Sequence, residues 1–314
     1  MLRGPMNEFE IIAEIFAPLA SDPGAFGLKD DAAAIAARPG FDLIVTTDQI
    51  TEGKDFFAFD PAAQIAQKAL RVNLSDLAAK GAKPEFYLLA LTLPGGFTRE
   101  WLENFAAGLK TDQDRFGISL LGGDTSRGEI LSITVTAFGF IPAGKMIKRA
   151  GARAGDAVYV TGTIGDSGGG LAIFRREKHT LSELDRDHLI GRYRVPEPPV
   201  TFGASLRDLA YASVDVSDGL IADLGHIASA SGVHIAVEAE RIPRSTSLRA
   251  FWGDEIEAIS RAATAGDDYQ IAFTAPAGLD GPFTRIGTVS AGEGVELIHQ
   301  GQPVPVQKPG YRHF

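Results

Sequence analysis

Aspartates close several apolar runs of this chain: Asp48 ends FDLIVTTD, Asp124 ends ISLLGGD, and Asp215 and Asp218 bracket the turn of SVDVSDGL. Asp31 and Asp76 complete a set of six. A carboxylate at the mouth of a strand adds nothing to a core, but it suits a hard divalent cation, which takes oxygen ligands. Such cations imply phosphate chemistry more often than anything else.

Each segment also has a plainer reading. Asp30-Asp31 follows Gly27 in a loop. Two carboxylates at contact repel by roughly 4 kcal/mol at an effective dielectric near 20, which a solvated turn tolerates as easily as a metal site needs it. Asp267-Asp268 is open to the same two readings. In TTDQ, Thr46, Thr47 and Asp48 offer two hydroxyls and a carboxylate at a strand end, either as ligands or as turn residues bonding backbone amides. Asp76 in NLSDLAAKGA falls in phase with Ile65, Ala69 and Val72. A carboxylate in an apolar phase must be paired, protonated or metal-bound. Gly122 and Gly123 before Asp124 permit close backbone approach to an anion or a planar ring. TGTIGDSGGG resembles a phosphate cradle, but its spacing is neither G-x-G-x-x-G nor G-x-x-x-x-G-K-[ST], so a structural turn is the better reading. The helix macrodipole explains Asp218 in a first turn; it does not explain Asp215, inside the strand. The six histidines show no zinc-binding spacing, and His226 reads as structural.

The elements that must position these residues alternate. Phe9, Ile12, Phe16 and Leu19 predict a helix over 8–20, ended by Asp22-Pro23-Gly24. FDLIVTTD reads as a buried strand, Pro61 opens a helix closed by Gly81, and FYLLALTLP is a strand. A helix over 99–116, ISLLGGD and LSITVTAFGFI follow. After the Pro142-Ala143-Gly144 break come the strand DAVYVTG and a helix in LAIFRREK, with VPEPPVTFG an extended connection before a helix through Leu209. The SVDVS strand then enters a helix with Ser217 as N-cap and Gly232 as C′ residue. HIAVEA, YQIAFTA, FTRIGTV and VELIH supply the last strands. The pattern predicts two α/β-type domains, 1–142 and 150–314, an α+β class overall.

With 314 residues, 45% hydrophobic, the chain can bury a sizeable core. A net charge of −10 with no basic stripe argues against nucleic-acid binding. No cysteine is present, which excludes disulfides, thiolate catalysis and Cys-ligated metals. No window approaches a membrane span, so a cytoplasmic protein is expected.

Taken in order, TTDQITEG, KALRVNLSDLAAKGAKP, LLGGDTSRG, KRAGARAGD, VYVTGTIGDSGGGLAI, DVSDGLIADLGHI, AGDDYQIAFT and GYRHF resemble the thiamine-monophosphate kinase family. That family shares a superfamily with aminoimidazole ribonucleotide and selenophosphate synthetases. The resemblance spans nearly the whole chain. It implies ATP-dependent phosphorylation of thiamine monophosphate to thiamine diphosphate with several magnesium ions, and a homodimer whose N-terminal mixed sheets pair. Carried over by motif, Asp31, Thr46, Thr47, Asp48, Asp76, Asp124, Asp215 and Asp218 are implied magnesium ligands. Gly123, Asp124, Arg149 and Ser217 are implied nucleotide contacts, and Asp55, Asp267 and Phe314 implied substrate contacts. The chain departs from the family at Lys29 (usually glycine), Asp55 (usually histidine), and Asp267 and Gln270 (usually glutamate). Both reactants are anions, so alignment and charge neutralisation matter more than a general base, and no phosphorylated side chain is expected. Two alternatives remain: another ATP-dependent synthetase of the superfamily, and a non-catalytic nucleotide or thiamine-phosphate sensor.

Overall fold

A computed structural model describes residues 6–311. The chain forms two compact units, Met1–Leu77 with Ala82–Gly144, and Ala78–Gly81 with Lys145–Phe314.

The first unit opens with α1 (Glu8–Glu10), closed by a reciprocal capping box between Asn7 and Glu10. The chain then winds as a π-helical turn, Ile11–Phe16, and a 3-10 turn, Ala17–Leu19. This corrects the single helix expected over 8–20. The wider winding shifts the inward face to Ile11, Ile15, Phe16 and Leu19, and leaves Phe9 79% exposed. Then follow β1 (Phe41–Thr51), α2 (Ala62–Ala79), β2 (Lys83–Leu93), α3 (Arg99–Phe116), β3 (Ser119–Arg127) and β4 (Ser132–Pro142). The strands make one mixed sheet in the order β1-β4-β2-β3, with β2 and β3 parallel and the other pairs antiparallel. The β2-α3-β3 segment is a crossover, which parallel pairing requires. Thr98 caps α3 by accepting from Trp101 N, and Gly117 ends it in the left-handed region.

Helix α2 is the apolar centre of this unit. Leu70, Leu74 and Leu77 are essentially inaccessible, each contributing roughly 1.5–3 kcal/mol by burial. A Cβ on Gly108 of α3 would lie 2.2 Å from Ala63 O, so the two helices meet there backbone to backbone. Arg71 on α2 and Asp112 on α3 form a buried two-pronged ion pair at 2.7 and 2.8 Å. Strand β1 corrects a second expectation. It is an edge strand, paired only with β4, and Phe41, Leu43 and Val45 are 45, 42 and 52% exposed. Alternation puts these three on one side and Thr46, which bonds Asp76 of α2, on the other.

The second unit holds β5 (Ala157–Thr161), α4 (Asp166–Phe174), α5 (Glu183–Arg194), α6 (Val200–Leu206), β6 (Ala212–Asp215), α7 (Leu220–Ser231), β7 (Val233–Glu238), α8 (Thr246–Trp252), α9 (Ile256–Ala263), β8 (Ile271–Ala275), β9 (Phe283–Ala291), β10 (Gly294–His299) and β11 (Gln302–Val304). Its seven-stranded sheet runs β11-β10-β7-β9-β5-β8-β6, antiparallel except for the β10/β7 pair. Helix α7 packs one face through Leu220, Ile221, Leu224 and Ile227. Against the other lie Ala78, Ala79 and Leu206 with a cluster of Tyr159, Phe273, Phe202 and Phe283.

Several expectations change here. Helix α4 begins inside the glycine-rich segment, at Asp166, because its glycines pack against neighbours. A Cβ on Gly170 would lie 2.3 Å from Leu189 O of α5. Helix α5, capped by Ser182, and helices α8 and α9 were not anticipated. Part of VPEPPVTFG is helical, as α6. The N-cap of α7 is Gly219 rather than Ser217, while Gly232 ends it in the left-handed region as anticipated. Among the described residues, no helix is long and apolar enough to cross a membrane.

Candidate functional site

In the first unit the alternation of β1 and the phase of α2 bring oxygen donors together. Thr46 Oγ1 donates to Asp76 Oδ2 at 2.6 Å. Asp48 N donates to Asn73 Oδ1 at 3.0 Å, and Asn73 Nδ2 is anchored on Ala69 O. Ile65, Ala69 and Val72 are buried, and Asp76, next on that stripe, is half-buried at its end. Partial loss of water, then the charge of Asp76, a hydrogen bond to it, and the charge of Asp55 push the Asp48 carboxyl up to about 6. These groups therefore crowd one another, an arrangement that a cation relieves. Thr47 points the other way: its hydroxyl donates to Val135 O at 3.1 Å and accepts from Thr136.

Asp31 is exposed in a loop, its amide bonded to Asp30 Oδ1. It lines a cavity of about 640 Å³ with Gly123 and Asp124, among apolar walls that include Phe16, Leu88 and Phe138. Gly123 is required by the fold itself, whatever it does for a ligand. A Cβ there would lie 1.8 Å from Leu89 O, across the β2/β3 pair. Asp55 is half-buried and closes a turn by accepting from Thr51 N at 2.7 Å, while Lys68, nearly inaccessible, donates to its carbonyl.

In the second unit Asp215 ends β6 and is 5% exposed. Ser217 and Asp218 follow in the turn to α7. Asp218, Asp223 and His226 each offer a ligand atom within 4.8 Å of the others. Among the described residues the carboxylates of the first unit do not close to that spacing with a third such group. Oδ2 of Asp223 is committed, accepting from the amides of Ser217, Asp218 and Gly219. Burial and the Asp218 charge push the Asp223 carboxyl up to about 7 against those three amides. Burial, then the charge of Arg149, holds the His226 imidazole below its ordinary value, with Asp218 opposing. Arg149, exposed, thus has its charge beside this group.

Asp267 is half-buried with φ +67° and accepts from Tyr269 OH at 3.3 Å. Its neighbour Asp268 is buried, and burial holds that carboxyl well above the carboxylate range although it accepts from Gly165 N and Ser167 N. Gln270 is a tie between β5 and β8, accepting from Thr161. Phe314 lies outside the described residues. In the sequence Asp223 carries no motif of its own, and Asp268 reads only as half of the Asp267-Asp268 acidic pair. The first-turn acid of IADLGH and the second acid of AGDD were the available signals, but only burial gives them weight.

Two family models match the chain: "AIR synthase related protein, N-terminal domain" over residues 29–141 and "AIR synthase related protein, C-terminal domain" over 153–300. The chain is 40% identical to the thiamine-monophosphate kinase of Salmonella typhimurium over 98% of both proteins. It is 41% identical to that of Caulobacter vibrioides over 98% of this chain and 91% of that one. The crystal structure of thiamine-monophosphate kinase from Stenotrophomonas maltophilia superimposes with a TM-score of 0.81 at 41% identity, covering 88% of this chain and 91% of that one. AaThiL complexed with AMPPCP and TMP gives a TM-score of 0.81 at 33% identity over the full length of both. With both domains matched and full-length relatives at this identity, the chain belongs to the thiamine-monophosphate kinase family of AIR synthase related proteins.

Proposed function

We propose that this protein phosphorylates thiamine monophosphate to thiamine diphosphate at the expense of ATP, with magnesium, by direct in-line transfer. The observation that carries the reading is the group of Thr46, Asp48 and Asp76: Thr46 donates to Asp76, and loss of water followed by the charge of Asp76 pushes the Asp48 carboxyl up to about 6. Every donor there is a hard oxygen, which fits magnesium rather than zinc or copper. The solved relative holding AMPPCP and TMP supports the two substrates.

On this reading Asp31, Thr46, Asp48, Asp76 and Asp124 of the first unit, and Asp215 and Asp218 of the second, would hold magnesium, while the Thr47 hydroxyl, turned to Val135 O, drops out of the set. When bound, magnesium neutralises phosphate oxygens on donor and acceptor. A cavity of about 640 Å³ is of the size that small ligands fill, and Gly123 and Asp124 on its wall favour the nucleotide as occupant. Arg149 and Ser217 would serve as nucleotide contacts, and Asp55, Asp267 and Phe314 are the acceptor contacts that the family resemblance implies. An oxygen of the acceptor phosphate attacks the γ-phosphorus as the bond to the β–γ bridging oxygen breaks, releasing ADP. The acceptor oxygen is already ionised, so the side chains orient and no general base is needed. No side chain is phosphorylated; a phosphoenzyme trapped with labelled ATP would sink that step.

The protein acts as a cytoplasmic homodimer on this reading. Support comes from Phe41, Leu43 and Val45, an apolar row on one side of an 11-residue edge strand, a surface prone to pair. Formation of thiamine diphosphate from ATP, magnesium and thiamine monophosphate, followed with a thermal shift in the same mixture, tests the function. No turnover with both substrates bound would leave a sensor. ADP release only with a purine precursor would make the protein a synthetase.

A further inference from the structure

The turn Val216–Gly219 holds more than its own side chains. The amides of Ser217, Asp218 and Gly219 converge on one oxygen of Asp223, at 3.0, 3.1 and 3.1 Å. Asp223 is 2% exposed, and its own amide donates back to Gly219 O at 2.9 Å, closing the turn on the first turn of α7. The carbonyls of the same turn carry other segments. Val216 O accepts from Tyr269 N at 2.7 Å, Ser217 O from Asp267 N at 2.8 Å, and Asp218 O from Tyr311 N at 2.9 Å.

Neither attached segment has room to shift alone. A Cβ on Gly266 would lie 2.6 Å from Ser217 O, and one on Gly310 would lie 2.5 Å from Asp218 O. Asp267 and Tyr269 both hold left-handed φ, +67° and +52°, a conformation that persists only where the surroundings enforce it. The turn's amides are thus fixed by Asp223, and its carbonyls fix the Asp267 segment and the C-terminal segment at Tyr311.

We propose that Asp223 is a positioning residue for the phosphoryl transfer: it sets the Val216–Gly219 turn so that Ser217 and Asp218 are held in register with the two segments that serve the acceptor. This rests on the kinase reading above. Three amide hydrogen bonds to a carboxylate are charge-assisted, and removing the charge weakens all three together. Partners that orient ligands in this way typically matter 10- to 100-fold in affinity or rate.

The test compares wild type, Asp223→Asn and Gly310→Ala in steady-state synthesis of thiamine diphosphate, varying magnesium and thiamine monophosphate, with Tm measured alongside. Asp223→Asn is expected to lower kcat by about 10- to 100-fold and to raise both the acceptor KM and the half-saturating magnesium by about 10-fold, with most of the protein folded. Wild-type constants, or a loss matching only the unfolded fraction, overturn the proposal. Should Asp223→Asn not fold, Gly310→Ala decides, because it disturbs the turn from the tail side. A rise in acceptor KM together with half-saturating magnesium supports the coupling, and a rise in acceptor KM alone, or no change, overturns it. A wild-type chain that makes no thiamine diphosphate fails the kinase reading and this proposal with it. An active wild type with unaltered variants fails this proposal alone.

Discussion

Replacing Asp76 by asparagine tests whether the crowded carboxyls of the first unit are a cation site. In the folded chain the Asp48 carboxyl titrates at about 6 against an ordinary 3.8. A metal needs the ionised form. At pH 5 about one Asp48 carboxylate in eleven is ionised, and at pH 7 about ten in eleven, so apparent magnesium affinity should rise about tenfold between them. Asp76→Asn removes the charge and hydrogen bond that rank after burial among the causes, so this dependence should move to lower pH while affinity drops through loss of a ligand. The partial loss of water remains, so the midpoint should stay above 3.8. Because the folded pKa is the higher one, the unfolded chain ionises first, and the metal-free protein loses stability as pH rises from about 4 to about 6. Magnesium added without nucleotide should restore it most above about pH 6. The assay is a thermal-shift titration with magnesium chloride alone at pH 5, 6 and 7 and constant ionic strength, which keeps nucleotide protonation out of the result. Equal magnesium response at pH 5 and 7, or a pH profile unmoved by Asp76→Asn, would refute the reasoning.

Asp48→Asn and Asp124→Asn should each lower turnover by at least about 100-fold with the circular dichroism spectrum unchanged; full activity in either would remove that residue from the magnesium set. Val45→Lys places a charge in the apolar row of β1, and light scattering should report a monomer where a dimer is expected of the wild type, whereas a monomeric wild type would end the dimer reading. Arg71→Met strands the Asp112 carboxylate, which has no exposed side-chain surface, and should destabilise by about 3–5 kcal/mol in urea. Adding Asp112→Leu should recover most of that loss; if it does not, the ion pair is not its source.

Much of the secondary structure was legible where one period dominates. The 99–116 helix and the strands of AVYVT and IAFTA stand where their patterns placed them. Legibility failed where a rule of packing overrode a rule of sequence. Glycine counts against a helix, yet Gly169 and Gly170 lie in α4 because α8 and α5 come close enough that a Cβ would clash, and Gly168 because Ala265 does. An apolar run reads as buried, yet β1 is an edge. Ser217 is a good N-cap by type, yet Asp223, six positions on, takes the turn's amides instead.

The sequence by itself determined the family, the class of fold and which acidic residues were worth watching, because order and spacing of motifs are one-dimensional facts. Only tertiary structure decided which of those acids meet. Asp48 and Asp76 come together because β1 alternation and α2 phase aim them at the same point, while neighbouring Thr47 faces away and engages Val135. Asp223 and Asp268 gained their roles in the same way. A carboxylate's chemistry is set by the water it loses and the groups brought beside it, and both depend on residues distant in the chain.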